Sequence, residues 1–538
     1  MKHLFLGNEA LAQAAIDAGI SGVYSYPGTP STEITEYIQK SKLAKELNIH
    51  SQWSVNEKTA MEAALGMSYA GKRAMTVMKH VGLNVAADVF MNMSVSGING
   101  GLVVVVADDP SMHSSQNEQD SRYYGRFALI PILEPSTQQE TYEITRYAFH
   151  LSEQMGLPVL IRMVTRLSHS RAGITTSKRE TQKEISLPKN PHQFQLIPFY
   201  ARKRYQHLIN IQSDNRESSE NSFFNKYIEG PNTSMGIIAS GIAYNYLLEN
   251  FEDDGCPFPI LKISQYPMPK KLIKKLFNKC KKILVLEDGY PFIEELVGDF
   301  LGEKQKVIGR LTGHLNRIGE LDPDNIREAL GFEQKHTKKI PKIVSGRPPE
   351  LCVGCAHRDL FDAINELGKE ISTQQVFGDI GCSALGVLPP FQSINTLIDM
   401  GASITMAKGA ADAGIHPSIA IIGDSTFTHS GMTGLLDAVI EKTPITIIIS
   451  DNSAIAMTGA QDSSASGRLI TICEGIGVEE DHLKVITPLH KNLEENINTI
   501  RQELNYKGVS VVIAQRPCIQ IPKEKKAKLR EIKKEASY

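Results

Sequence analysis

The stretch "LCVGCAHR" at 351–358 sets two cysteines three positions apart. Thiols at this spacing hold zinc, exchange with disulfides or ligate an iron–sulfur cluster. Cys352 and Cys355 alone do not choose among these, and the chain has seven cysteines from which to complete a site. A second chemical signal is "IIGDSTFTHSG" followed by "IIISDNSAIAMTG", with Asp424 and Asn452 separated by 452 − 424 = 28 positions. Each follows an apolar, β-branched run, and one strand-helix-strand crossover has about that length. Both side chains then fall at the carboxyl edge of one parallel sheet. There a carboxylate, an amide oxygen and a backbone carbonyl offer hard oxygens to magnesium and leave further positions to phosphate. A helix starting near Thr426 would turn free N–H groups to the same phosphates. A loop Asp and an Asn in an Asx turn, with no metal, is the other reading of these residues.

The pair resembles the thiamine-diphosphate signature, Gly-Asp-Gly followed one crossover later by Asn-Asn. It is a variant form, with Ser425 in the third position and Asp451 in place of the first Asn. Thiamine chemistry also needs a carboxylate against N1′ of the aminopyrimidine. In "QWSVNEKTAMEAALGMSYAG" Glu57 opens an apolar-periodic helix after a short strand. A glutamate in a first helical turn is also an ordinary partner of the helix dipole.

The elements that must position these residues alternate in type. Strands are expected at 21–27, 73–80, 100–109 and 156–165, with a helix near 31–47, and strands parted by amphipathic helices imply parallel sheets with right-handed crossovers. Residues 191–230 turn polar and aperiodic and read as a connector. A second α/β unit follows with strands at 235–241 and 281–289, and "TKKIPKIVSGRPPE" (337–350) marks a boundary. The third region has strands at 374–381, 418–425, 443–452 and 508–515, and the chain finishes in the lysine-rich stretch 522–538, which reads as a solvated terminus. The expected division is 1–190, a connector at 191–230, 231–336, 337–520 and a basic tail at 521–538.

The 538 residues suffice for several cores. With 41% apolar residues, 22% charged and a formal net charge of −2, nothing electrostatic favours nucleic acid. No apolar run approaches the roughly 20 residues that span a bilayer, and the first residues lack a secretory h-region. No membrane association and a cytoplasmic location are expected, where an odd cysteine count suits ligands and buried thiols over disulfides.

"YPGTPSTEI" (26–34), "WSVNEKTAMEAALG" (53–66), "MKHVGLNVAAD" (78–88) and "GGLVVVVADDPSMHSSQNEQDSR" (100–122) resemble the thiamine-dependent 2-oxoacid:ferredoxin oxidoreductases. Together with "GRPPELCVGCAHRDLF" and "GDIGCSALG" (378–386) they are similar, within that superfamily, to the alpha subunits of the indolepyruvate ferredoxin oxidoreductases. The resemblance runs from residue 5 to about residue 520. It implies an α/β, three-layer thiamine-diphosphate-binding fold, with a pyrimidine-binding domain, a transketolase-C-like domain and a diphosphate-binding domain. It also implies CoA-dependent oxidative decarboxylation of an aryl 2-oxoacid, with two electrons leaving singly for ferredoxin.

By the same resemblance Asp424, Asn452 and the Ala454 carbonyl hold magnesium. Gly381, Ser383, Gly423 and Ser425 line the cofactor, and Glu57 activates its aminopyrimidine. Thr29 lies in a loop that faces substrate in such proteins, and His113 or Arg122 would meet the substrate's carboxylate or aryl side, although Thr-Pro-Ser after a strand is also a plain helix cap. Cys352, Cys355, Cys382 and Cys518 fall where the related enzymes hold a 4Fe-4S cluster, with all-cysteine zinc as the rival. Cys256, Cys280 and Cys473 read as inert. A smaller beta subunit, two copies of each, is the expected assembly. No cysteine follows Cys518, so the ferredoxin-like module common in these alpha subunits is not seen and a separate ferredoxin or another acceptor is expected. The rival functions are a non-oxidative thiamine decarboxylase and a catalytically silent binding subunit. A dinucleotide enzyme lacks its Gly-x-Gly-x-x-Gly.

Overall fold

The computed structural model describes residues 2–251, 255–300, 306–333, 349–368 and 372–521, with residues 341, 343, 344 and 346 between them. The basic tail and most of the expected boundary stretch lie outside the described residues. The chain divides into two compact units, Met1–Lys339 and Ile340–Tyr538.

In the first unit, β-branched runs become strands buried on both faces, as parallel sheets require. Among the described residues seven strands pair in the order Gln265–Tyr266, Ile132–Leu133, Val159–Val164, Leu102–Asp108, Ala74–Lys79, Gly22–Ser25 and His50–Trp53. All are parallel except the first. Alternation along Leu102–Asp108 makes two cores. Val103, Val105 and Ala107 pack with Leu11, Ile16, Ile144 and Phe149. Leu102, Val104 and Val106 face the other way, toward Met61, Phe90 and Met93. This is the helix-sheet-helix layering expected of an α/β fold.

The regions expected as 1–190 and 231–336 lie in one compact unit, although the second has a sheet of its own. That sheet, Val307–Ile308, Lys282–Leu286, Met235–Ser240, Ile260–Ile263 and Lys226–Ile228, is distinct. Yet Gln265–Tyr266 pairs with Ile132–Leu133, and Ile238, Leu261, Leu276, Ile283 and Phe292 belong to the same apolar cluster as Phe90 and Met93. The connector differs from its expectation: Pro198–Asn210 and Gln212–Glu220 are helices. The first buries only Leu208 among its residues, so it has no apolar stripe to show in the sequence.

The second unit has five parallel strands among the described residues, in the order Val376–Gly378, Ile419–Gly423, Thr446–Asp451, Ser510–Gln515 and Leu483–Ile486. Ile422, Ile447, Ile449 and Val511 face the helices Ala402–Asp412 and Met432–Glu441. Ile421, Ile448 and Val512 face Ala356–Leu367 and Leu493–Leu504. No helix among the described residues is long and apolar enough to cross a membrane.

Candidate functional site

In the second unit Ile419–Gly423 and Thr446–Asp451 are adjacent parallel strands, with Gly423 opposite Ser450. Asp424 and Asn452 therefore leave the sheet side by side at its carboxyl edge, 2% and 8% exposed. Asn452 Oδ1 accepts from Ala454 N–H at 3.0 Å, an Asx turn such as the metal-free reading expects. Asp451 Oδ1 is occupied by Ser453 and Oδ2 by Gln515, at 3.0 and 2.8 Å. Asp424 Oδ2 is different: it is buried and has no hydrogen-bond partner. Burial, and then the charge of Asp451, push the Asp424 carboxyl up to about 7. An oxygen so placed lacks a positive partner, and a hard cation shared with a carboxylate and an amide oxygen is the chemistry it fits.

The helix after Asp424 is not regular. One turn, Asp424–Thr426, passes into a π-helical turn at Phe427–Gly431 before Met432–Glu441 resumes as α-helix. Such insertions concentrate at functional sites. Thr426 Oγ1 donates to the Ile380 carbonyl at 2.9 Å, tying this turn to the loop of Gly381 and Cys382. Gly381 has φ 134°, which only glycine adopts without strain. A side-chain carbon built at Gly381 or Gly423 would meet Thr426 Oγ1 alone, at 3.8 Å, so both glycines leave room beside the loop. Ser383 spends its hydroxyl on the Asp379 carbonyl, 3.1 Å away, and Ser425 is nearly buried.

The expected cysteines gather at this edge. Cys355 caps the helix Ala356–Leu367, and Cys382 begins the turn after Gly381. Cys518 N–H donates to the Asn452 carbonyl at 2.9 Å, which joins the thiol set to the Asp424 loop. Burial first, then the neighbouring thiols Cys355, Cys518 and Cys352 and the carboxylate of Asp424, push the Cys382 thiol up to about 12. Cys355 is raised by burial and by Cys518 and Cys352. Thiols held protonated in this way become ligands when a cation supplies the balance. Among the described residues, no three His, Cys, Asp or Glu side chains close around a single metal ion. Gln520 donates to two of the sulfurs, its N–H to Cys518 Sγ at 3.4 Å and its Nε2 to Cys352 Sγ at 3.6 Å. Cys473 is fully buried and Cys280 nearly so, as expected of inert thiols, while Cys256 is partly exposed.

His357 is a residue that the sequence reading quoted without giving it a role. Its Nδ1 is 3.5 Å from Cys355 Sγ and its Nε2 is 3.1 Å from Ser450 Oγ, so it links the cysteine turn to the strand before Asn452. Burial pushes its pKa down to about 4, leaving the ring neutral at neutral pH. Its position two residues beyond Cys355 was the available signal.

In the first unit the corresponding edge carries Glu57 and Thr29. Asn56 caps the helix Glu57–Tyr69 by accepting from Thr59 N–H at 2.9 Å, and Glu57 is 5% exposed in its first turn. Gly82 makes room for it: a side-chain carbon there would stand 2.5 Å from Glu57 Oε1. Thr29 follows the strand Gly22–Ser25, and its carbonyl accepts from Ser114 Oγ at 3.3 Å.

The two remaining substrate candidates have protein partners. His113 Nε2 lies 3.2 Å from Glu320 on a partly exposed face. Arg122 is fully buried, and its guanidinium meets Asp120 at 2.5 Å, Glu287 at 2.9 Å and Glu134 at 3.5 Å. Arg162 continues the network to Asp108 and Glu134, each at 2.6 Å. Arg122 is thus engaged by three protein carboxylates.

Residues 13–224 match the family described as pyruvate flavodoxin/ferredoxin oxidoreductase, thiamine diP-bdg. Residues 379–514 match the thiamine pyrophosphate enzyme, C-terminal TPP binding domain. The chain is 37% identical to the indolepyruvate oxidoreductase subunit IorA of Archaeoglobus fulgidus, over 96% of this chain and 86% of that one. It is 38% identical to the protein of the same name from Pyrococcus horikoshii, over 96% and 86%. The 2-oxoglutarate synthase subunit KorA of Methanocaldococcus jannaschii is 26% identical, over 60% of this chain and 99% of that one.

Proposed function

The chain belongs to the family of the indolepyruvate oxidoreductase subunits IorA, enzymes of the 2-oxoacid:ferredoxin oxidoreductase class, and from this premise we propose that its substrates are aryl 2-oxoacids. The reaction is their CoA-dependent oxidative decarboxylation, with indolepyruvate or phenylpyruvate giving the aryl-acetyl-CoA, carbon dioxide and electrons for ferredoxin.

Thiamine diphosphate, when bound, supplies the carbon nucleophile for the 2-oxo carbonyl and retains the electron pair left as carbon dioxide departs. Asp424, Asn452 and the Ala454 carbonyl would hold magnesium, with Gly381, Ser383, Gly423 and Ser425 beside the diphosphate. Glu57 would hold a proton at N1′ of the aminopyrimidine, and Thr29 would face the substrate. Cys352, Cys355, Cys382 and Cys518 would ligate one 4Fe-4S cluster, and the hydrogen bonds from Gln520 to two of these sulfurs are outer contacts of the kind that tune a cluster's potential. A smaller beta subunit, two copies of each chain and a separate ferredoxin complete the reading.

The observation that carries it is the hydrogen bond from Cys518 N–H to the Asn452 carbonyl, which brings the thiol set and the loop with the unpartnered Asp424 oxygen onto one edge. The test is an assay of the complex with its partner subunit, purified without oxygen, on indolepyruvate, phenylpyruvate and pyruvate, each with and without CoA. The expected result is CoA-dependent reduction of ferredoxin with the two aryl acids, and about four irons per chain, lost together in Cys382→Ser. Preferential turnover of pyruvate would overturn the substrate, and zinc in place of iron would overturn the cluster. Carbon dioxide release without iron or an electron acceptor would make the enzyme a non-oxidative decarboxylase.

A further inference from the structure

Arg122 and His113 are paired to protein carboxylates, whereas Lys79, beside Thr29 and Glu57, has no carboxylate within ion-pair distance among the described residues. Lys79 is the last residue of the strand Ala74–Lys79, at the carboxyl edge where the neighbouring strands release Thr29, Glu57 and Asp109. Its aliphatic stem crosses Gly28: a side-chain carbon at that glycine would stand 3.1 Å from Lys79 Cγ and Cδ. Its Nζ donates to the Ser114 carbonyl at 2.9 Å. Ser114 in turn is fixed by Asp109, which accepts from its N–H at 2.8 Å, and by the Thr29 carbonyl.

Lys79 is partly buried, and Arg204 and Lys306 likewise donate to backbone carbonyls, but neither stands at this strand edge; the deeply buried cations of this unit touch carboxylates. Arg73 meets Glu153 and Glu180, Arg162 meets Asp108 and Glu134, and Lys262 meets Glu140. Lys79 makes no such contact among the described residues. Asp109 and Glu57 act on it only as neighbouring charges, and burial outweighs them, holding the ammonium below its ordinary range. Asp109 is itself occupied by Ser114, Ser115 and Thr165. An ammonium has three donors, and one carbonyl uses one of them without neutralising the charge. A half-buried cation in that state favours an anion from outside.

We infer that Lys79 binds the carboxylate of the 2-oxoacid substrate. The inference rests on the 2-oxoacid oxidoreductase reading and not on the aryl preference. It has a kinetic signature, because the carboxylate loses its charge as carbon dioxide leaves. An ion pair to it stabilises the bound substrate at least as much as the transition state, so losing Lys79 should raise KM without lowering kcat.

The test uses the complete enzyme complex loaded with thiamine diphosphate and magnesium, as wild type, Lys79→Gln and Lys79→Arg. Lys79→Gln should raise KM for the turned-over 2-oxoacid by about 10- to 100-fold, the range for a lost charge-assisted hydrogen bond, with kcat held within a few-fold. Lys79→Arg should restore most of the loss. Calorimetry with two unreactive probes, 3-phenylpropionate and its amide, gives a second readout: wild type should prefer the carboxylate, and Lys79→Gln should bind the two alike. Thiamine diphosphate affinity should not change. A carboxylate preference retained in Lys79→Gln, or a fall in kcat with KM unchanged, would overturn the inference and make Lys79 an electrostatic neighbour of Glu57. If no aryl 2-oxoacid is turned over, the aryl reading fails, and the role of Lys79 is then decided by the same comparison with propionate and propionamide, which carry no aryl group.

Discussion

Arg122 in the first unit and Asp424 in the second are both almost wholly buried charges, and their surroundings differ in one respect. Arg122 has Asp120 and Glu287 within 3 Å, and Glu134 and Arg162 extend the set into a network closed within the protein. Asp424 sits at a comparable depth with one oxygen unpartnered and with a second carboxylate, Asp451, raising its pKa. A closed network is a device for holding elements together: here it ties the Ser121–Phe127 helix to the ends of strands from two sheets. An open charge is a poor structural element, since its desolvation is not offset from within, and it persists where a ligand supplies the missing partner. Sign and burial alone do not separate a site from a strut, whereas the count of satisfied partners does.

The largest expected effect comes from opening the closed network. Arg122→Met removes a cation from three carboxylates and should lower unfolding stability by about 3–5 kcal/mol, read by chemical denaturation, with thiamine diphosphate affinity retained in the folded fraction. Unchanged stability would deny the network its structural role.

A smaller effect should appear in the pH dependence of the same network. Burial pushes Glu287 up to about 7, against the partial opposition of Arg122, while an unfolded glutamate titrates near 4.3. Between these values the folded state holds a proton that the unfolded state has released, so stability falls as pH rises through the window. Glu287→Gln should remove on the order of 2 kcal/mol of that fall between about pH 5 and pH 7. A slope identical to wild type would place the titration elsewhere.

The smallest effect, and the one of opposite sign, is expected at the open charge. Asp424→Asn in metal-free buffer at neutral pH should leave stability unchanged or raise it by up to about 1 kcal/mol, because it removes an uncompensated carboxylate. A loss comparable to that of Arg122→Met would mean that Asp424 is structural too.

These residues also show how far sequence could carry the reading. The placement of Asp424 and Asn452 just past adjacent parallel strands was legible because local pattern fixes strand ends. The strand at 419–423 and its neighbour at 446–451 lie within the expected runs. The network around Arg122 was not legible because Glu134 and Glu287 come from distant segments that no local pattern brings together. Lys79 lay inside a quoted motif, but its lack of a carboxylate partner is a tertiary fact. The contact between residues 1–190 and 231–336 runs through a two-residue strand, Gln265–Tyr266, and a shared apolar cluster, neither of which has a period to read. The helix Pro198–Asn210 escaped for the same reason, with a single buried residue.

The central claim is that the open charge at Asp424 marks the place of a divalent cation that holds thiamine diphosphate. It is tested most directly by calorimetric titration of thiamine diphosphate into the full-length protein with magnesium and with a chelator, for wild type and Asp424→Asn. The account predicts magnesium-dependent binding in wild type, weakened at least about 100-fold in Asp424→Asn, with both proteins equally folded. Equal affinity with and without magnesium, or an Asp424→Asn protein that binds as wild type does, would contradict it.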